Sequence, residues 1–172
     1  MKPFVAIDFE TANNLPYSAC AVALVRFDAS GNPTETLSTL LKPHPEADFF
    51  NDINIRIHKI HPEDVEDAPT WADIYPEVQR FIGSDMLVAH NVRFDRKVFE
   101  SLNEAFGLPQ ISNDWDCSLV IARKFLQDIE NHRLNTVFHH YFPSEGFNHH
   151  EAYADAIACG RIYTAMNREF LD

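Results

Sequence analysis

Short apolar runs without proline mark the strands that the sequence predicts. The runs at 4–7, 19–27 and 86–89 are typical of buried strands, and the alternating segment 35–41 predicts another. Residues 28–33 carry the Asp, Ser, Gly, Asn and Pro of a turn between the second and third strands. The first three strands are therefore expected to form an antiparallel meander.

Helix-end signals and helical periodicity dominate the rest of the chain. Thr70 and Asp73 predict a capped helix over 71–82, in which Pro76 favours a kink or a later start. Further helices are predicted over 93–106, 134–141 and 151–167, a strand running into a helix over 115–125, and a short helix after Pro62. A meander followed by α/β alternation predicts an α/β fold, with a mixed sheet of antiparallel and parallel strands flanked by helices.

Composition and charge narrow the class of protein. A chain of 172 residues with 45% hydrophobic content predicts a single folded domain over residues 1–172. The net charge of -12 argues against a passive nucleic-acid clamp, because phosphate-binding proteins are usually basic. It leaves a metalloenzyme open, since bound cations reverse the local field.

Cysteine usage and hydropathy bear on the compartment. Cys20, Cys117 and Cys159 are dispersed and odd in number, which favours reduced, buried thiols in the cytosol. We find no apolar stretch long enough to span a membrane, and residues 1–8 leave no room for a signal peptide. A cytoplasmic protein is expected.

The first group with chemical potential is Asp8-Phe9-Glu10. Two acids at i and i+2 of a strand project to one side, while Phe9 points into the core. Taken alone, such a pair is more commonly a solvated strand end. Its position at the carboxyl end of an apolar strand favours a site instead. Oxygen ligands of this kind suit Mg²⁺ or Mn²⁺.

A second group, Ala89-His90-Asn91-Val92-Arg93-Phe94-Asp95, joins a strand to a helix. Asp95 falls in the first helical turn, where an acid interacts favourably with the helix dipole. If this residue is considered alone, that structural role is preferred to a catalytic one. His90 and Asn91 either touch a substrate or organise the turn.

A third group is His149-His150-Glu151-Ala152-Tyr153-Ala154-Asp155-Ala156, whose alanines allow a helix to approach a sheet closely. On one regular helix, His150 and Asp155 would diverge by about 140°. They converge only if His150 lies in the preceding loop or the first turn. Otherwise the segment is a capped helix with an incidental histidine pair. A zinc site is not expected, because no Cys or further His stands at zinc spacing.

In this order, DFET, AHNVRFD and HHEAYADA resemble the three motifs of the DnaQ-like 3′→5′ exonucleases of the DEDDh subgroup. That family includes proofreading subunits of bacterial replicative polymerases and ribonuclease T. The resemblance runs from Phe4 to about Met166 and implies a ribonuclease H-like fold. It also implies hydrolysis at nucleic-acid 3′ ends with release of nucleoside 5′-monophosphates.

The resemblance assigns roles to single residues. Asp8, Glu10 and Asp155 match ligands of a first divalent metal, Mg²⁺ or Mn²⁺, and Asp8 would bridge to a second metal that Asp95 helps to hold. His150 matches the histidine that activates the attacking water. It is chosen over His149 because the family spacing is H-x-A-x-x-D.

Substrate contacts and partners complete the expectations. Residues 57–62 resemble the family's substrate loop, with Lys59 where the family often has glycine. The expected substrate-binding residues are Phe9, Thr11, Ile60, His90 and Asn91. The expected partner is a single-stranded 3′ end of DNA or RNA, and a polymerase or a second copy of the chain stays open. Because the chain ends soon after the last predicted helix, a stand-alone enzyme is favoured. The alternative is a catalytically silent nucleic-acid-binding or scaffold domain on the same fold.

Overall fold

The computed structural model describes residues 1–171, and its strands form one mixed sheet in the order β3-β2-β1-β4-β5. The strands are β1 (Phe4–Thr11), β2 (Ala19–Phe27), β3 (Pro33–Leu40), β4 (Met86–Ala89) and β5 (Trp115–Cys117). The first three form an antiparallel meander, whereas β4 pairs parallel to both β1 and β5. The predicted α/β class and mixed sheet are confirmed.

Six helices flank the sheet within residues 1–171. They are α1 (Asp52–His58), α2 (Trp71–Ile82), α3 (Val92–Ala105), α4 (Ser118–Phe125), α5 (Leu134–Tyr141) and α6 (Ala152–Phe170). Single 3₁₀ turns occupy Pro45–Ala47 and Pro62–Val65. Helix α2 has the predicted bounds, with Pro76 inside it and the capping box of Thr70 and Asp73 at its start.

Alternate residues of the central strand β1 serve the two halves of the core. Phe4 and Ala6 belong to an apolar cluster that α4, α5 and α6 complete. Val5, Ile7 and Phe9 belong to a second cluster, which α2 and α3 complete on the other face of the sheet. Asp8 and Glu10 share the parity of Phe4 and Ala6, so they lie on the α6 side of β1.

Small residues let α6 pack closely on the sheet, as predicted. Ala156 and Ala158 are fully buried, and a Cβ placed on Gly160 would lie 2.1 Å from the ring of Phe27. This close approach brings the first turn of α6, which carries Asp155, over the end of β1.

Two details of the fold differ from the sequence predictions, and the state of the cysteines agrees with them. Strand β1 is longer than the predicted 4–7, so that Asp8 and Glu10 lie within the strand. Helix α1 was not predicted. All three cysteines are free and buried, as expected. Across residues 1–171, no helix is both long enough and apolar enough to cross a bilayer.

Candidate active site

Strand β1 delivers the first two acids of the site. Asp8 and Glu10 project from one face of the strand, and Glu10 is 9% exposed. Between them, Phe9 is 3% exposed on the opposite face, where its ring packs against Trp71 and Phe99. Burial of Phe9 therefore fixes the direction of both acids.

Helix α3 adds Asp95 from its first turn. This carboxylate is 2% exposed, and its Oδ1 accepts a hydrogen bond from the backbone N–H of Phe9 at 3.2 Å. The bond ties the N-terminus of α3 to β1, which sets Asp95 beside the two strand acids. The backbone N–H of Phe9, an expected substrate contact, is thus engaged within the protein.

Helix α6 adds Asp155, also from a first turn and 4% exposed. One oxygen each from Asp8, Glu10 and Asp155 lie within 4.8 Å of one another, close enough for a single cation. Asp95 stands outside this group of three.

Burial makes ionisation of these acids costly. It is the main cause that raises the pKa of Asp8 well above its usual range, with further contributions from the charges of Asp95, Asp155 and Glu10. Burial also raises the pKa of Glu10 and of Asp95 to about 8. Within residues 1–171, no Lys or Arg forms an ion pair with any of the four acids. The donor set therefore fits divalent cations that prefer oxygen ligands, such as Mg²⁺ or Mn²⁺.

Both histidines of the third motif lie in the loop before α6. His150 has a left-handed backbone with φ of 72°, and its N–H donates to Asp155 Oδ2 at 3.1 Å. The ring that contacts Asp155 belongs to His149, whose Nδ1 lies 2.9 Å from Asp155 Oδ1. The His149 and His150 rings stack with centroids 3.8 Å apart. His150 thus occupies the loop position that its spacing requires, at the rim of the site.

A cavity of about 740 Å³ opens beside the acids. Asp8, Asp155, His149 and His150 are part of its lining. Its remaining lining consists of His90, Leu119, Arg123, Asn131, His132, Arg133, Leu134 and Asn135. Burial and the neighbouring His149 lower the pKa of His150, partly offset by Asp155, so its imidazole is neutral and able to accept a proton at neutral pH.

The other expected substrate-binding residues have distinct places. The Thr11 carbonyl accepts hydrogen bonds from Asn54 Nδ2 at 2.7 Å and from His58 Nε2 at 3.1 Å. Ile60 is half-buried and lines a smaller cavity that His58 and His150 share. These contacts hold the segment resembling the substrate loop against the end of β1.

His90 and Asn91 both organise the turn between β4 and α3. His90 lines the main cavity, but its Nδ1 bonds to Ser118 Oγ and its Nε2 to the His132 carbonyl, both at 2.9 Å. Asn91 has a φ of 78°, and its carbonyl accepts the N–H of Phe94 at 2.9 Å. The ring nitrogens of His90 are thus already used within the protein.

Sequence reasoning missed several residues around the site. His149 was set aside on spacing, although it contacts Asp155, and His58 was not singled out as an anchor of Thr11. Arg123 and Arg133 carry no local motif. Among these residues, only His149 could have been considered from the sequence, because it is the neighbour of His150.

Comparison with known sequences gives the family. Residues 5–163 match the exonuclease family that includes ribonuclease T. The chain is 33% identical over 160 residues to a PolC-type DNA polymerase III of Oceanobacillus iheyensis. The matched region covers 92% of this chain and 11% of that protein. It is 28% identical to the polymerase of the same type from Caldanaerobacter subterraneus, over 95% of this chain and 11% of that one. The chain thus spans about a tenth of the length of these relatives.

Solved structures agree in fold. Exonuclease X, in complex with 5′-overhanging duplex DNA, superposes with a TM-score of 0.77 at 24% identity, over 100% of this chain and 94% of that one. Exonuclease I of E. coli, in complex with a dT13 oligonucleotide, gives a TM-score of 0.82 at 19% identity, over 97% of this chain and 41% of that one. These neighbours have the ribonuclease H-like fold. With the match over residues 5–163, the chain belongs to the DnaQ-like 3′–5′ exonuclease family.

Proposed function

We propose that this chain is an active, metal-dependent 3′→5′ exonuclease domain of the DEDDh subgroup, spanning residues 1–172. One observation carries the proposal: ligand atoms of Asp8, Glu10 and Asp155 lie within 4.8 Å of one another, beside a cavity that Asp8, Asp155 and His150 line. A family member that had lost catalysis would have no need to keep several buried acids together without a Lys or Arg partner, because they cost stability.

Asp8, Glu10 and Asp155 would hold one divalent ion, and Asp8 and Asp95 would hold a second. When bound, Mg²⁺ or Mn²⁺ would offset the repulsion among the acids and supply Lewis acidity toward the scissile phosphate. The raised pKa values support this assignment, because carboxylates that resist ionisation need a compensating cation.

His150 is the proposed general base. Its neutral imidazole takes a proton from water as the water oxygen bonds to phosphorus and the bond from phosphorus to the 3′ oxygen breaks. The products are a nucleoside 5′-monophosphate and a strand shortened by one residue with a new 3′ hydroxyl. His149, bonded to Asp155, and the positive-φ backbone of His150 orient the ring toward the cavity.

The proposed substrate is a nucleic-acid 3′ end in single-stranded form. DNA is supported by the oligonucleotide bound in the exonuclease I structure and by the polymerases among the relatives. A polymerase as the physiological partner is consistent with those relatives. Three free, buried cysteines support a reducing, cytoplasmic location.

The decisive experiment uses a 5′-labelled single-stranded oligonucleotide with Mn²⁺. We expect a ladder of labelled products that shorten one nucleotide at a time, together with unlabelled nucleoside 5′-monophosphates. Asp8→Asn and addition of EDTA should both abolish the ladder. The matched control is Glu77→Gln, an exposed acid on α2, which should keep full activity.

Other outcomes would overturn parts of the proposal. Immediate release of a labelled mononucleotide would show that digestion starts from the 5′ end. Oligonucleotide binding without any release by the folded wild type, in Mg²⁺ and in Mn²⁺, would favour the silent binding domain.

A further inference from the structure

Part of the lining of the main cavity, which we call the basic wall, carries two arginines, in a chain whose net charge is -12. Arg123, near the end of α4, and Arg133, the N-cap of α5, both line it. Among residues 1–171, Asp8 and Asp155 are the only acidic side chains in the lining. These two belong to the proposed metal site, so the rest of the lining is positive, neutral polar or, at Leu119 and Leu134, apolar.

Neither arginine is neutralised within the protein. Both side chains are exposed, and neither forms an ion pair with a carboxylate of residues 1–171. Three of the other seven arginines do form ion pairs: Arg26 with Asp85, Arg96 with Glu100, and Arg161 with Glu145. Two unpaired guanidinium groups on one cavity form an anion-binding surface.

A hydrogen-bond chain holds the loop that leads to Arg133. Because a carbonyl only accepts, His90 Nε2–H donates to the His132 carbonyl and His90 Nδ1 accepts from the Ser118 hydroxyl. The ring of His132 donates in turn to the Leu126 carbonyl at 2.8 Å. The loop between α4 and α5, with Arg133 at its end, is thus held to the start of α4.

The reaction geometry decides which part of a substrate meets the arginines. At a 3′ end, the scissile phosphate belongs at the acids, and the strand continues only in the 5′ direction. Any further phosphate near the acids therefore belongs to an upstream nucleotide. The cavity volume of about 740 Å³ exceeds what one phosphate needs and accommodates a stretch of strand.

We propose that Arg123 and Arg133 bind backbone phosphates on the 5′ side of the scissile bond and thereby favour strands over dinucleotides. The inference rests on the proposed exonuclease function. Phosphate contacts carry no base information, so the preference is for length and not for sequence. Asn131 and Asn135 supply further neutral donors along the same wall.

The test compares two substrates that differ in upstream phosphates. Thymidylyl-thymidine contains only the scissile phosphate, whereas a long oligo(dT) offers several more. For oligo(dT), Arg123→Gln and Arg133→Gln should each raise KM roughly three- to tenfold, with kcat nearly unchanged. KM for the dinucleotide should stay within about twofold.

Salt dependence and a charge-conserving variant sharpen the result. Each lost phosphate contact should reduce the slope of log KM against log salt by about 0.7 for a single strand. Arg123→Lys should keep most of that slope, because lysine also binds phosphate as a point charge. The matched control is Arg80→Gln, an exposed arginine of α2 outside the cavity lining, which should change neither quantity.

A binding measurement distinguishes failure of this inference from failure of the proposed catalysis. Fluorescence anisotropy of labelled oligo(dT) with Asp8→Asn protein should show weaker binding when Arg123 and Arg133 are also replaced. That result would support the basic wall even if no nucleotide release were ever detected. Equal losses for both substrates, an effect on kcat alone, or unchanged binding of oligo(dT) when both arginines are replaced would overturn the inference.

Discussion

The ring of His149 is hydrogen-bonded to Asp155, with Nδ1 lying 2.9 Å from Oδ1 and 3.1 Å from Oδ2. The same carboxylate belongs to the group formed with Asp8 and Glu10. A cation at that group would therefore compete with the imidazole of His149 for the carboxylate of Asp155. His150, stacked on His149, contacts Asp155 through its backbone N–H and keeps its ring available for the cavity.

Replacing each histidine in turn distinguishes the two roles. His150→Asn should lower kcat by roughly 10²–10⁴, the usual contribution of a general base. Asparagine suits the test because it tolerates the positive φ of this position. His149→Asn should lower kcat by less than about tenfold, because His149 is not the proton acceptor in the proposed reaction.

Metal titration gives the second readout of the same pair. Without competition from His149 for Asp155, His149→Asn should reach half-maximal activity at a lower Mn²⁺ concentration than the wild type. His150→Asn should leave that concentration nearly unchanged. A larger loss of kcat in His149→Asn than in His150→Asn would show that the base is His149.

The buried acids predict how stability depends on pH in the metal-free protein. Glu10 and Asp95 have pKa values of about 8, well above the unfolded range of about 4. Between these limits the folded state binds more protons than the unfolded state, so stability falls as pH rises. In EDTA, each of these two groups should lower the free energy of unfolding by on the order of 2 kcal/mol between about pH 6 and pH 8.

Urea unfolding at several pH values, with and without Mg²⁺, measures this dependence. Mg²⁺ should stabilise the protein more at the higher pH, because protons no longer compete for the acids. Glu10→Gln should be more stable than the wild type at the higher pH in EDTA, since the amide stays neutral. Stability that rises with pH in EDTA would contradict the raised pKa values.

Local signals in the sequence account for the elements that were predicted well. The capping box of Thr70 and Asp73 fixes the start of α2 through contacts within one turn. Helix α1 lacks such a signal: its isoleucines alternate, and Ile53 and Ile57 are 65% and 44% exposed. With no apolar helical face to bury, the segment shows no helical period.

The site was predictable in part for the same reason. The parity of Asp8 and Glu10 follows from strand geometry, and the loop position of His150 follows from its spacing to Asp155. The contact between His149 and Asp155 depends on the backbone of the loop, which spacing does not specify. The basic wall depends on the tertiary bonds of His90, which join segments far apart in the chain.

Lys59 offers a direct test of a departure from the family pattern. It caps α1 with a left-handed φ of 63°, a conformation that glycine adopts without strain. Lys59→Gly should therefore stabilise the protein by about 0.5–1 kcal/mol in urea unfolding. Lys59→Ala is the matched control and should give no such gain, because alanine keeps the Cβ. Equal stability of the two variants would show that the conformation is not strained.

The loop that carries both histidines is tied to α6 by one ion pair. Arg161 donates two hydrogen bonds to Glu145, at 2.7 and 2.9 Å, and its guanidinium lies 4.0 Å from the ring centroid of Phe142. Both side chains are exposed to solvent to a large degree, so the pair adds little to stability. Its larger effect should be on the position of His150.

Breaking that pair should therefore affect turnover more than folding. Arg161→Lys removes the two-point contact and should lower kcat roughly three- to tenfold with little change in KM. Glu145→Gln should act similarly, and the double variant should be no worse than either single change, because both remove one interaction. Hydrogen exchange should rise in residues 143–150 of the variants and stay unchanged in β1. Losses of kcat that add in the double variant would show that Arg161 and Glu145 act independently. Faster exchange with unchanged kcat would show that the order of the loop does not control catalysis.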